Sequence, residues 1–212
     1  MRATDAPGFN GELRNRIQAN LTRLIDVAPE APDSYRRASV AIIVTPHESG
    51  EAAFLLTRRT PHLGLHAAQQ ALPGGKADAG ESDEAAARRE TAEEIGLFLE
   101  QKALLGRLDR YVTRSGFAIS PFVYWSEHAG ELTPNLDEVS AVRRVTLAAL
   151  YTRQDLILLP GDTPERPVVR MALGDRFIHA PTAAILYQFR EVALAGRYAP
   201  VAHFDQPDFA RR

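Results

Sequence analysis

Residues 75–97 read GKADAGESDEAAARRETAEEIGL. The first part of this stretch contains glycines that are typical of a loop, and the second part contains residues that are typical of a helix. Its second half, residues 85–95, is rich in Ala, Glu and Arg, which are all good helix formers. Ser82 or Asp83 can cap the start of this helix, and Gly96 stands where a left-handed C-terminal cap is expected. The stretch therefore predicts a loop, a helix of about three turns and a second loop.

Three carboxylates share one side of the predicted helix. Glu90 and Glu94 are one turn apart and Glu93 flanks them, so the three side chains lie within an arc of about 100°. Like charges at this spacing repel, so the cluster indicates either a solvated helix face or a site for a cation. The opposite side of the helix is expected to face a core through Ala85, Ala92 and Ile95.

A glycine pair, Gly74 and Gly75, stands just before the helix and favours the cation site. Glycines let the backbone turn sharply and bring main-chain carbonyl groups close to the helix start. Hard cations such as Mg²⁺ take oxygen ligands from a few carboxylates, and waters or phosphates complete the set. We therefore predict a metal site here rather than a solvated face.

The spacing of seven residues resembles the Nudix box, the signature of enzymes that hydrolyse a nucleoside diphosphate linked to another moiety. The box reads G-x5-E-x7-R-E-U-x-E-E-x-G-U, in which U is a bulky apolar residue, and here it consists of Gly75, Glu81, Arg89, Glu90, Glu93, Glu94 and Gly96. The resemblance implies an α/β fold, with a mixed β-sheet sandwiched between α-helices and the box at one sheet edge. It also implies Mg²⁺ or Mn²⁺ as cofactor and attack by water on a pyrophosphate phosphorus.

The resemblance also implies roles for the residues of the site. The expected metal ligands are Glu90, Glu93, Glu94 and the Gly75 carbonyl group, and Arg89 is expected to orient the glutamates. Structural roles are expected for Gly74, Glu81 and Gly96. The general base is either a box glutamate or a carboxylate from a later loop, for which the candidates are Glu138 and, behind it, Glu131 and Glu127. A solvated surface position is the alternative for Glu138.

Segments outside the box resemble the coenzyme A pyrophosphatase branch of the family. The residues that match before and into the box are Leu55, Leu56, Thr57, Arg59, Pro73, Gly74 and Gly75. This branch implies coenzyme A or acyl-CoA as substrate, with 3′,5′-ADP and 4′-phosphopantetheine as products. Gly64, Ala68 and His179 stand where the branch usually has Arg, Gly and an aromatic residue. The open alternatives are ADP-ribose, dinucleoside pyrophosphates, (oxidised) nucleoside triphosphates and a non-catalytic nucleotide-sensing module.

Five residues outside the box are candidates for substrate binding. Arg58 and Arg59 can bind phosphates, although side chains alternate along a strand and one of the two is expected to be solvated or paired. A pocket is expected to include His66, Phe117 and His179, with ordinary surface or core positions as the alternative.

Composition is typical of a compact enzyme. The chain has 212 residues, of which 45% are hydrophobic, a formal charge of -2 and no cysteine. The charge argues against general nucleic-acid binding, and the absence of cysteine excludes disulfides, zinc–thiolate sites and a cysteine nucleophile. Neither a signal-peptide core nor a transmembrane stretch is evident, so we expect a cytoplasmic protein that binds no membrane. The family resemblance implies a small nucleotide as its substrate.

The order of predicted elements is that of an α/β protein. Helices are expected at residues 12–27 and 181–195, and strands at 39–45, 53–57, 104–108, 111–113, 119–125 and 138–145. The first two strands are expected to form a hairpin. We predict an N-terminal helix and linker (1–35), a Nudix domain (36–200) and a C-terminal tail (201–212). The family resemblance implies a homodimer, for which the N-terminal helix and residues 151–176 offer surfaces, although both can equally pack on their own subunit.

Overall fold

The computed structural model describes residues 7–24, 34–60, 69–127, 130–151, 156–161, 163–174 and 176–207. The helices are α1 (Gly11–Thr22), α2 (Asp83–Ile95) and α3 (Thr182–Gln188), which continues as a π-helical turn at Phe189–Leu194. An eight-stranded sheet contains β1 (Arg36–Pro46), β2 (Ala52–Arg59), β3 (Gln70–Ala71), β4 (Gly74–Lys76), β5 (Leu104–Arg107), β6 (Tyr111–Val112), β7 (Phe117–Trp125) and β8 (Val139–Thr146). A second sheet contains β9 (Leu156–Leu159), β10 (Val168–Leu173) and β11 (Arg176–His179).

The centre of the large sheet is the parallel pair β1 and β7, in which Arg36 lies opposite Phe117 and Val44 opposite Trp125. β2 runs antiparallel to β1 on its other side, which confirms the predicted hairpin. β4 adds to the first half of β1, so the loop that begins the box is fixed to a central strand. Parallel and antiparallel pairs occur together, and the sheet is therefore mixed, as predicted.

Both faces of the large sheet are covered. Side chains of β1 alternate, so that Ile42 and Val44 join one apolar core, whereas Ala41 and Ile43 join another. The first core includes α1, α3 and β10, and the second includes Ala87 and Ile95 of α2. This arrangement confirms the predicted α/β/α fold.

Helix α2 has the predicted ends but a different inward face. The Ser82 side chain accepts a hydrogen bond from the Ala85 N–H, and Gly96 closes the helix with φ of 70°. Ala85 and Ala92 were expected to face the core, and this was wrong, because both are partly exposed. The buried stripe of the helix consists of Ala86, Ala87, Thr91, Glu94 and Ile95. The inward face of the helix therefore includes a glutamate of the box, Glu94.

The two ends of the described chain pack into the core of the large sheet. Leu13, Ile17 and Leu21 of α1 are buried there, as are Val201 and Phe204. The helix predicted over residues 12–27 ends at Thr22, and Ile25 lies outside the described residues. The domain boundaries stay a prediction. In the described ranges, no helix combines the length and apolarity needed to cross a bilayer.

Candidate active site

The loop before α2 is pressed against β1. Gly74 has φ of 147°, and a Cβ at this position would overlap the main chain of Ser39 and Val40. The N–H group of Gly74 donates a hydrogen bond of 3.0 Å to the Glu94 carboxylate. Only glycine fits this position, because the close approach and the backbone angle both exclude a side chain.

Gly75 has a different reason for being glycine. A Cβ there would overlap both carboxylate oxygens of Glu90, so that carboxylate lies directly against the Gly75 main chain. Glu90 and Glu94 thus approach two consecutive residues of β4 from one helix. The box brings a main-chain segment and two carboxylates together, as the spacing predicts for a cation site.

Arg89 connects the glutamates of the box. Its Nε and Nη2 donate to the two oxygens of Glu81 at 3.1 Å each. Its Nη1 donates to Glu90 at 2.8 Å and to Glu93 at 2.9 Å, and Nη2 also donates to the Lys76 carbonyl oxygen at 2.9 Å. The guanidinium therefore fixes two box glutamates relative to the loop, which is the geometry that an orienting residue requires.

Glu81 lies outside the carboxylate cluster that α2 presents. It precedes the helix, accepts a hydrogen bond of 3.0 Å from the Asp78 N–H and binds Arg89 with both oxygens. The hydrogen bond from Arg89 is the main cause that lowers the pKa of Glu81 below its usual value. The geometry therefore suits the structural role expected of Glu81.

Burial and mutual repulsion characterise the other carboxylates. Glu94 is 4% exposed, and burial raises its pKa to about 7. Burial also raises the pKa of Glu90, and the charges of Glu93 and Glu138 raise it further. Glu138 likewise raises the pKa of Glu94. Glu138 and the three box glutamates of α2 are therefore close enough to repel one another, and a bound cation would relieve this repulsion.

The loop before β8 brings Glu138 to the box. Its residues Thr133 and Asn135 donate N–H hydrogen bonds of 3.0 Å to the carbonyl groups of Ile95 and Glu94, at the end of α2. Glu138 itself accepts a main-chain hydrogen bond of 2.9 Å from the Thr60 N–H. The other base candidates are placed elsewhere: Glu131 is exposed, and Glu127 lines a separate cavity beside Arg14 and Trp125.

The donor set fits a hard divalent cation that keeps several non-protein ligands. In the described part of the chain, no group of three or more Asp, Glu, His or Cys side chains is arranged to hold a metal ion alone. Mg²⁺ is commonly bound by one or two carboxylates together with waters and substrate phosphates. Glu90, Glu94 and the adjoining main chain of Gly75 supply oxygen ligands of this kind, with the more exposed Glu93 beside them.

The substrate-binding candidates separate into two groups. Arg59, Phe117 and His179 line one cavity of about 280 Å³, and the Arg59 charge lowers the pKa of Glu94. Arg58 is directed elsewhere, since its Nε donates a hydrogen bond of 3.0 Å to the Ser140 hydroxyl. His66 lies outside the described residues, as do Gly64 and Ala68. Sequence patterns missed Gln70, which lines the same cavity and belongs to no motif.

The fold is a mixed sheet between helices, and the site is a glycine-containing loop that leads into a glutamate-rich helix. Fold and site together define the class of protein. Residues 35–170 match the family model described as the NUDIX domain. The protein therefore belongs to the Nudix hydrolase family.

Individual relatives agree with this assignment. The chain is 32% identical to an uncharacterised Nudix hydrolase, NudL, of Pectobacterium atrosepticum, over 72% of this chain and 80% of that protein. It is 36% identical to Nudix hydrolase 3 of Caenorhabditis elegans, over 50% of this chain but only 46% of the relative. The crystal structure of a MutT/nudix family protein from Enterococcus faecalis superposes with a TM-score of 0.56. That match has 17% identity and covers 84% of this chain and 71% of the other, so it shows the fold alone.

Proposed function

We propose that the protein hydrolyses a pyrophosphate bond in a nucleoside diphosphate linked to another moiety. The observation that carries this proposal is the convergence of Glu90 and Glu94 on the Gly74–Gly75 main chain, with Arg89 bonded to Glu90 and Glu93. Such a site would hold a divalent cation, whose positive charge would attract the phosphates of the substrate. Membership of the Nudix hydrolase family supports the same reaction.

A divalent ion, Mg²⁺ or Mn²⁺, would neutralise phosphate charge and lower the pKa of a bound water. Glu90 and Glu94 would hold that ion, and the Gly75 carbonyl would add an oxygen ligand. Arg89 keeps Glu90 and Glu93 in place without occupying all their oxygens, because each glutamate receives one of its hydrogen bonds. Arg59 stands at the boundary between the box and the cavity, where its guanidinium suits a substrate phosphate.

Glu138 is our proposed general base. It lies within the electrostatic field of both Glu90 and Glu94, yet it comes from a different loop and makes no hydrogen bond to Arg89 among the contacts described. A carboxylate in this position can accept a proton from water while the box glutamates hold the cation. Glu93 is the alternative base, although its carboxylate is bonded to Arg89.

For the substrate, we propose coenzyme A or acyl-CoA, which would yield 3′,5′-ADP and 4′-phosphopantetheine. The support comes from the segments that match this branch in sequence, which are Leu55–Thr57, Arg59 and Pro73–Gly75. Arg59 also lines the cavity of about 280 Å³, where its guanidinium would contact a nucleotide phosphate.

The test is a substrate panel with Mg²⁺ and with Mn²⁺. The panel contains coenzyme A, acetyl-CoA, ADP-ribose, a dinucleoside pyrophosphate and normal and oxidised nucleoside triphosphates. The wild-type protein is expected to release phosphorylated products only with metal, and Glu94→Gln is expected to abolish this release. Glu100→Gln is the matched control, since Glu100 is exposed and pairs with Lys102 outside the site.

The possible outcomes test the substrate, the enzymatic activity and the general base separately. Release of 3′,5′-ADP and 4′-phosphopantetheine in preference to all other products would identify the coenzyme A substrate. If no member of the panel yields a product with either metal, the enzyme proposal is wrong and a nucleotide-sensing module takes its place. Glu138→Gln is expected to lower kcat by about 10²- to 10⁴-fold; an unchanged kcat would transfer the role of base to a box glutamate.

A further inference from the structure

A cavity of about 280 Å³ lies beside the box loop and is lined by several separate elements. The end of β2 contributes Arg59, β3 contributes Gln70, β7 contributes Phe117, and β11 contributes Phe177 and His179. Ligand pockets range from about 300 to 1,000 Å³, so this cavity is slightly smaller than a pocket for a whole ligand. It suits one moiety of a nucleotide conjugate and not the whole molecule.

Gln70 is the unusual residue in this lining. Gln70 is only 9% exposed, and neither its Nε2 nor its Oε1 atom has a hydrogen-bond partner among the residues that the structure describes. The main chain of Gln70 is paired with Arg58 on β2, so the strand does not require an amide side chain here. A buried polar group that is left unpaired destabilises the fold, because it loses its hydrogen bonds to water and gains none in return. An apolar residue would fill the position without that cost, so the amide indicates a ligand group as its partner.

The chemistry of the amide restricts that partner. A glutamine side chain presents an N–H donor and a carbonyl acceptor side by side. Phosphate oxygens only accept hydrogen bonds, so a phosphate would leave the Gln70 carbonyl oxygen unpaired. Adenine satisfies both groups, because its amino group and a neighbouring ring nitrogen lie on one edge. Phe117 and Phe177 in the same lining provide aromatic surface of the kind on which bases stack.

We propose that Gln70 is a specificity-determining residue that binds the donor–acceptor edge of an adenine base held in this cavity. The phosphates would then extend past Arg59 towards the box. The direction of the phosphates rests on the proposed function, whereas binding of the base can be measured without hydrolysis. An amide of a pantetheine arm offers the same neighbouring donor and acceptor, so the experiment includes both sources.

The experiment measures equilibrium binding by calorimetry, with the full-length protein and Mg²⁺. The two main ligands are AMP and purine riboside 5′-monophosphate, which lacks the 6-amino donor; neither contains a pyrophosphate bond. Wild type is expected to bind AMP about tenfold or more tightly than the purine analogue, because a hydrogen bond is lost beside a buried acceptor. Gln70→Leu is expected to bind both ligands equally. Gln18→Leu is the control, because Gln18 is exposed on α1, and it should keep the preference.

Three results would overturn the proposal. The first is equal affinity of wild type for the two nucleotides, or no measurable binding of either. The second is a Gln70→Leu protein that still prefers AMP, since the preference would then have another origin. The third is a loss of affinity for 4′-phosphopantetheine but not for AMP in Gln70→Leu, which would place the pantetheine amide in the cavity.

Thermal unfolding separates ligand recognition from a structural role. Gln70→Leu is expected to raise the melting temperature of the ligand-free protein, because it removes an unpaired buried amide. A lower melting temperature would show that the amide stabilises the fold itself and would contradict the proposal. If the protein prefers AMP through Gln70 but hydrolyses no member of the substrate panel, this inference stands and the proposed function is wrong.

Discussion

Arg89 stabilises an arrangement of charges that is unfavourable without it. One guanidinium contacts the carboxylates of Glu81, Glu90 and Glu93, so the group keeps an excess of negative charge even before Glu94 is counted. The hydrogen bond to Glu81 is the main cause that raises the pKa of Arg89 further above its usual value. A lysine could not replace it, because an ammonium group lacks the planar fork that reaches three carboxylates and a carbonyl.

Burial makes the charged form of Glu94 unfavourable, and this predicts how the stability of the metal-free protein, in EDTA, depends on pH. Its folded-state pKa of about 7 is above the usual 4.5, so its contribution favours the folded state only while it is protonated. The folded protein should therefore lose up to about 3 kcal/mol as pH rises from below 4.5 through 7. Glu94→Gln removes this loss and can still accept the hydrogen bond from the Gly74 N–H group.

We expect Glu94→Gln to unfold at a higher urea concentration than wild type at pH 8, and at nearly the same concentration at pH 4.5. Urea denaturation at the two pH values, with EDTA present throughout, measures the difference. Glu100→Gln should follow wild type at both. A difference between Glu94→Gln and wild type that does not change with pH would contradict the assignment of the titration to Glu94.

Single residues show what sequence patterns can and cannot predict. The spacing of the box predicted that Glu90 and Glu94 would share one side of a helix, because helical geometry alone determines this. It did not predict that Glu94 would be buried, because burial depends on the Gly74 N–H group and on β1. Gln70 was missed for the same reason, since a glutamine in a loop and a buried glutamine in a cavity wall look identical in sequence.

At the scale of elements, the loop–helix unit depends on the absence of a side chain at Gly75. We expect Gly75→Ala to displace the Glu90 carboxylate and to reduce hydrolysis by about 10²-fold, the effect of misplacing a catalytic group by about 1 Å. The measurement is kcat/KM on the substrate that the panel identifies, together with the melting temperature. Gly11→Ala is the control, since a Cβ there meets no atom of the described residues within 4 Å. Full activity in Gly75→Ala would contradict the close contact.

Elements with strong local patterns were predicted well. The apolar runs of β1, β2 and β7 and the caps of α2 gave nearly correct bounds. Sequence patterns did not predict the second sheet, because its short strands between residues 156 and 179 alternate only partly and depend on contacts with α3. The helix predicted over 181–195 changes to a π-helical turn at Phe189, which no sequence period distinguishes from an α-helix.

At the scale of the molecule, α1 is part of the main core, and its removal should affect the whole fold. Ile17 is fully buried, and we expect Ile17→Ala to lower the free energy of unfolding by about 2–5 kcal/mol. Urea denaturation followed by the fluorescence of Trp125 reports on the sheet. Gln18→Ala on the exposed side of α1 serves as the control. An unchanged midpoint for Ile17→Ala would mean that α1 unfolds independently.

Packing of α1 and β10 against their own subunit restricts where a homodimer could form. Their apolar faces are buried within the chain, whereas Leu158 and Phe177 of the second sheet are 54% and 50% exposed. The homodimer stays a prediction, and light scattering of the purified protein measures it directly.

The pairing of β1 with β7 has a consequence for how this chain folds. Arg36 meets Phe117, so the partners at the centre of the sheet are 81 positions apart in sequence. A contact of such long range requires closure of a large chain loop, and topologies dominated by such contacts fold slowly. During synthesis, the apolar β1 leaves the ribosome well before its partner exists. Until β7 follows, the hairpin with β2 is the nearest protection that the nascent chain has against aggregation.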